Sequence, residues 1–187
     1  SLSDYDLLVV KQGYIYPRLK ELAKFSVMSL TDGATNQRMN TIEVERLVQR
    51  IHDARQVVFL TSSVGAMSVT QFQYSMIFQN KVIRIVSDMY ENIDFVKRLQ
   101  KQDLLLVISG SGLFAAASRD YLKGNEAYKV LFTLNRSHDF DDIYDRIYHL
   151  SAVDRSQEAK SVYFTYGTIY VLDILYSVYV RKYGDSQ

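Results

Sequence analysis

The chain of 187 residues has no cysteine, one proline and three histidines. The missing cysteine excludes disulfides, thiolate metal sites and cysteine nucleophiles, and it suits a reducing cytoplasm, which is the expected location. His52, His138 and His149 lie far apart in sequence, so no metal-ligand spacing is visible and neither a metal nor a cofactor is expected. An excess of charge is also absent. With 22 Lys and Arg against 21 Asp and Glu the formal net charge is +1, which gives no global pull toward nucleic acid or an anionic membrane. No cleavable signal peptide is evident at the start. The longest apolar run, residues 162–180, contains Asp173 and several Tyr hydroxyls that hydrocarbon would penalise, so a buried helix is expected there rather than a membrane span. Neither G-x-G-x-x-G nor G-x-x-x-x-G-K-[ST] occurs, which argues against dinucleotide and nucleotide cofactors.

What is present is an alternating pattern. The lone Pro17 sits near the start, and the loop-rich stretch TDGATNQRMN (31–40) marks a boundary between an N-terminal helical segment and linker, residues 1–40, and a main domain, residues 41–187. Thr41 reads as an N-cap, with Glu43 or Glu45 near the first turn of a helix that runs through Val44, Leu47, Val48 and Ile51. Short apolar runs follow at 57–60 (VVFL), 82–86 (VIRIV), 104–109 (LLLVIS) and 129–134 (KVLFTL), with a weaker one at 146–151 (RIYHLS). Segments of helical length lie between them at 66–79, 92–101 and 113–122, and a last helix is expected over 162–183. Continuous apolar strands alternating with helices predict an α/β fold, a five-stranded parallel doubly wound sheet flanked by helices. The last helix is apolar on more than one face, which predicts packing in a core or against a second copy in a homodimer.

Ligands of such sheets bind beyond the carboxyl ends of the strands. Two of those ends are rich in small hydroxylic residues: Thr61-Ser62-Ser63-Val64-Gly65 after the first strand and Ser109-Gly110-Ser111-Gly112 after the third. Both open helices, so both combine backbone N–H groups, hydroxyls and tight turns, a combination suited to a phosphate or another small anion. The plainer reading, that these Ser and Gly residues only cap helices and make turns, stands beside it. Acid–base chemistry is poorly supplied. His138 with Asp139, Asp141, Asp142 and Asp145 reads as a solvated loop, His149 as a satisfied core or edge residue, and Glu158 and Lys160 as solvated charges.

The segment Asp103-Leu104-Leu105-Leu106-Val107-Ile108-Ser109-Gly110-Ser111-Gly112 resembles the D-L-x-x-x-I-S-x-S-G motif of the sugar-isomerase (SIS) domain, in its version from RpiR-family transcriptional regulators. The Ala54-Arg55-Gln56-Val57-Val58-Phe59 lead-in and Leu172-Asp173-Ile174-Leu175-Tyr176 in the last helix are similar to two further segments of that family, and the likeness spans about 41–183. The resemblance implies a flavodoxin-like phosphosugar-binding fold and a non-enzymatic, effector-sensing role. A sugar phosphate or related anionic carbohydrate derivative would control DNA binding through an upstream helix-turn-helix domain. It implies ligand contacts from Ser62, Ser63, Gly65, Ser109, Ser111 and Gly112. Two departures weaken that set. Gly65 stands where the family usually has a Ser, and Phe114 where it has a Thr. Each lost hydrogen bond to a charged phosphate is worth roughly 1.5–3 kcal/mol. A sugar-phosphate isomerase, or an SIS domain that only dimerises, are the alternatives. Residues 13–20 (GYIYPRLK) are faintly similar to the end of the regulators' helix-turn-helix domain, but Asp4, Asp6, Leu7 and Leu8 before them are poor readers of DNA.

Overall fold

The computed structural model describes residues 31–32, 41–87, 93–151, 154–158 and 162–184. The helical segment expected before residue 31 lies outside them. Strands β1 (Thr31–Asp32), β2 (Val57–Thr61), β3 (Ile83–Ser87), β4 (Leu104–Ile108), β5 (Tyr128–Thr133) and β6 (Arg146–His149) form one sheet in the order β1-β6-β5-β4-β2-β3. β2 to β6 are mutually parallel, the five-stranded sheet that the apolar runs predict. The added strand, β1, pairs antiparallel with β6 through Asp32 and Tyr148. It falls in the stretch expected as loop, and it gives partners to backbone groups that β6 would otherwise leave open at the sheet edge.

Every residue of β2 and of β4 is buried, as continuous apolar strands require when both faces are covered. Alternate side chains serve two cores. Val57, Phe59, Leu104, Leu106, Ile108, Val130 and Phe132 face helices α1 (Thr41–Asp53), α2 (Ser63–Ile77) and α6 (Val162–Tyr183). Val58, Leu60, Val86, Leu105, Val107 and Leu131 face α3 (Ile93–Lys97), α4 (Leu113–Ala117), α5 (Arg119–Leu122) and the turn carrying Phe140, Ile143 and Tyr144. Each fully buried Leu, Ile, Val or Phe contributes about 1.5–3 kcal/mol relative to exposure.

The described part of α1 begins at Thr41, the residue expected to cap it. Two expected helices are shorter than their periodicity suggests. The segment expected as one helix over 113–122 breaks at Ser118, whose hydroxyl donates to the Phe114 carbonyl at 2.8 Å and accepts from Tyr121 Oη at 2.6 Å. The hydroxyl shares that carbonyl with the Ser118 N–H, which reaches it at 3.1 Å. α3 ends at Lys97, and the Gln100 N–H is taken by the Asp103 carboxylate at 2.8 Å instead of continuing the helix.

α6 packs on α1 and α2, burying Phe164, Val171, Leu172, Leu175 and Tyr179 in the core of its own chain. Its end is fixed by the His52 ring, which stacks on Tyr183 at 3.8 Å and meets Tyr179 Oη through Nδ1 at 3.2 Å. The line of α6 left exposed is mainly polar, with Tyr166, Asp173, Ser177 and Arg181 along it. The apolar surface expected to seat a second copy is therefore largely used within the chain. No helix among the described residues is long and apolar enough to cross a membrane.

Candidate functional site

The loops after β2 and β4 leave neighbouring strands in register, Thr61 opposite Ile108. Thr61 Oγ1 ties them together by donating to the Ile108 carbonyl at 3.1 Å. Ser62 is the N-cap residue of α2, in extended conformation (φ −68°, ψ 162°), and makes no side-chain capping bond. Ser63 is exposed, Ser62 and Ser111 are half-buried, and Ser109, Gly65 and Gly112 are buried. The structure thus brings all six expected residues to one edge of the sheet, with hydroxyl access differing among them. Neither loop contains an acidic residue, and α2 has none in its first turn, so nothing there opposes the positive end of its dipole. α4 has only five residues, so its end offers much less of that effect than the sequence pattern implied.

Both glycines are dictated by their neighbours. A Cβ on Gly65 would lie 2.0 Å from Thr61 Oγ1, so the hydroxyl that the family carries at this position has no room while threonine precedes it. Thr61 does not replace it at the surface, because its own hydroxyl is buried and turned to Ile108. Gly112 adopts φ +83°, and a Cβ there would lie 2.7 Å from Phe140 Cζ. Phe114 packs into the second core. Ser109 Oγ accepts from the Ala115 N–H at 3.1 Å and Ser111 Oγ from the Leu113 N–H at 3.3 Å. Each of those two hydroxyls still has a proton to donate.

Residues at the end of β5 and just after it brace the second loop, and sequence reasoning did not select them. Thr133 Oγ1 donates to the Gly110 carbonyl at 3.2 Å, and Asn135 Nδ2 donates to the Ser111 carbonyl at 2.9 Å. The Asn135 carbonyl in turn accepts from His149 Nδ1 at 2.9 Å, which fixes the proton on Nδ1 because a carbonyl cannot donate. Burial, with the Arg136 charge second, pushes the His149 imidazole down to about 4. The available signal was T-L-N at the carboxyl end of a strand, directly beside the Ser-Gly loop in a parallel sheet. Asp103, the first residue of the family-like motif, lies at the opposite end of β4 from the loops. It accepts a bidentate pair from Arg55 at 2.9 and 2.7 Å, so its part in the motif is to clamp the lead-in of β2 to the start of β4.

His138 is exposed and paired with Asp141 at 3.0 Å. The side chain of Glu158, and Lys160, lie outside the described residues. Among the described residues no group of three or more His, Asp or Glu could hold a metal ion. A groove of about 490 Å³ lies away from the loops, between α1 and the starts of β5 and β6. Within it Arg46 pairs with Glu43 at 2.7 Å, and Arg50 stacks over Tyr128 at 3.5 Å.

No protein-family model and no curated protein sequence matches the chain. Solved structures do match in fold. The Vibrio vulnificus NanR protein complexed with ManNAc-6P superposes with a TM-score of 0.68 at 15% identity, over 98% of this chain and 70% of that one. The sugar isomerase domain of an RpiR transcription factor from Sphaerobacter thermophilus gives 0.67 at 13% identity, over 90% and 88%. A Listeria monocytogenes protein described as a sugar-phosphate isomerase candidate gives 0.65 at 13%, over 97% and 93%. Sheet order, helix placement and these superpositions agree that the chain has the fold of the sugar-isomerase (SIS) domain.

Proposed function

We propose that this chain is the effector-sensing SIS domain of an RpiR-like transcriptional regulator. In this reading the loops Thr61–Gly65 and Ser109–Gly112 bind a phosphosugar or related anionic carbohydrate derivative, and occupancy controls DNA binding by an upstream helix-turn-helix domain. The observation that carries the reading is the pairing of two acid-free, Ser- and Gly-rich loops on adjacent strands, one of them opening a helix of 15 residues. Two of the fold neighbours support it, one a transcription factor by name and one complexed with a sugar phosphate. A non-catalytic role is part of the proposal: His149 is committed to Asn135, and His138 to a surface pair.

A second reading has its own observation. Thr61 turns its hydroxyl inward and Gly65 and Phe114 supply none, which favours an SIS domain that has lost its ligand. A thermal-shift screen of hexose, pentose and amino-sugar phosphates separates the two, because a ligand that binds only the folded state raises the melting temperature. The effector reading expects at least one hit, lost in Ser109→Ala with Ser111→Ala, and no isomerase turnover of that compound. A blank screen supports the ligand-free reading. Turnover abolished by His138→Ala would make the chain an isomerase.

A further inference from the structure

His149 faces two ways. Its ring donates to the Asn135 carbonyl at 2.9 Å, while its backbone stands opposite Thr31 of β1 in the antiparallel pairing at the sheet edge. Among the described strands β1 pairs with β6 alone. One residue, 4% exposed, therefore stands between the brace of the Ser109–Gly112 loop and the strand that follows residues 1–30.

The links from the loop to His149 leave no slack. Asn135 commits every polar group it has. Its N–H reaches Thr133 Oγ1 at 3.1 Å and its Nδ2 the Ser111 carbonyl at 2.9 Å. Its Oδ1 accepts from the Ser137 N–H at 2.7 Å, and its carbonyl accepts from His149. It also lies against Gly112, where an added Cβ would meet Nδ2 at 2.9 Å. A ligand that draws on the hydroxyls of Ser109 and Ser111 acts on this turn, and packed, hydrogen-bonded groups pass a shift of the Ser111 carbonyl on to Asn135.

The far end of the relay is weak enough to respond. A two-residue antiparallel pairing exchanges about two cross-strand hydrogen bonds. Each net bond moves an equilibrium by about 2- to 13-fold, and two by about 5- to 160-fold. Coupling between sites typically runs about 5- to 150-fold. The ranges coincide, so a change of ordinary size at the loop is enough to hold or release β1.

We infer that β1 is a latch on the edge of β6, set through Asn135 and His149 by the state of the Ser109–Gly112 loop. The role rests on the effector reading, in which the DNA-binding domain lies upstream of β1. Amide chemical shifts of the isotope-labelled 187-residue chain test the wiring with no ligand present. Thr31→Pro with Asp32→Pro removes the N–H groups of β1 from the ladder, and coupling is reciprocal, so the Ser111 and Gly112 amides shift. In the Asn135→Ala background the same prolines leave them in place. Asn135→Ala alone moves the Thr31 and Asp32 amides toward random-coil positions, whereas Asp103→Asn, at the opposite end of the sheet, does not. Unmoved amides in either direction, or an equal response to Asp103→Asn, overturn the inference. A sugar phosphate that saturates the loop then shifts Thr31 and Asp32 in the wild type but not in Asn135→Ala. Binding at the loop without that shift overturns the latch and leaves the effector reading intact. Coupled variants with no compound bound do the reverse: the latch stands and the effector reading falls.

Discussion

At the scale of single residues, Gly65 and Thr61 form one steric unit. Adding a methyl at residue 65 usually helps a helix by roughly 1 kcal/mol. Here it collides with Thr61 Oγ1, 2.0 Å away. Gly65→Ala is therefore expected to lower the unfolding free energy by about 1–3 kcal/mol, the usual range for overpacking. Thr61→Ala in the same chain should recover much of the loss, and urea denaturation of the two single variants and the double variant measures this non-additivity. Read as sequence, Gly65 is a missing serine. The reason it is missing is a contact with a side chain four residues earlier, visible only once strand and helix are built. His149 gives a second expectation. Burial lowers its folded pKa to about 4, below the ordinary value near 6.5, so the unfolded chain binds the proton more readily. Its contribution is intact above that ordinary value and is lost as pH falls toward 4, by an amount of order 2–3 kcal/mol. His149→Gln cannot titrate, so its stability should fall less than the wild type's between neutrality and pH about 4.5. Equal slopes would contradict the buried neutral imidazole.

At the scale of elements, the Asp103–Arg55 clamp joins the entry of β2 to the entry of β4. Burial alone would raise the Asp103 carboxyl, but the Arg55 hydrogen bond, the Gln100 N–H and the Arg55 charge together hold it below the ordinary carboxylate range. A depressed carboxylate stabilises the fold above its unfolded pKa, near 3.9, and that stabilisation is lost as pH drops through the lower folded value. Asp103→Asn should cost about 1–3 kcal/mol at neutral pH, since charge-assisted bonds to a buried acceptor are replaced by weaker ones while half-exposed Arg55 returns to water. The same denaturation series at pH 7 checks it. The five parallel strands were legible because uninterrupted apolar runs such as LLLVI are needed only where both faces of a strand are covered. The break at Ser118 and the early end of α3 were not legible. At Asp103 the carboxylate takes the Gln100 N–H that helical periodicity assigns to the ladder, whereas at Ser118 the hydroxyl shares the Phe114 carbonyl with its own backbone N–H, and periodicity registers neither contact. β1 is two polar residues whose only strand signal is the neighbour that pairs with them.

At the scale of the whole molecule, the two Ser-Gly loops could be located from sequence because they directly follow strands, and strand order then set them side by side. The bracing by Thr133, Asn135 and His149 was hidden, since it joins the ends of β4, β5 and β6, which are distant in the chain. That bracing predicts that Asn135→Ala loosens the Ser109–Gly112 turn and weakens any ligand by several-fold without changing which ligand binds, which isothermal titration would show. The central claim is that the paired loops hold an anionic sugar. Its most direct test is a titration of the isotope-labelled chain with ManNAc-6P and a panel of other sugar phosphates, followed by backbone amide chemical shifts. The account predicts saturable shifts, with at least one compound, centred on residues 62–66 and 109–113. Saturable shifts centred instead on the groove between α1 and β6, or no saturable shift with any compound, would contradict it.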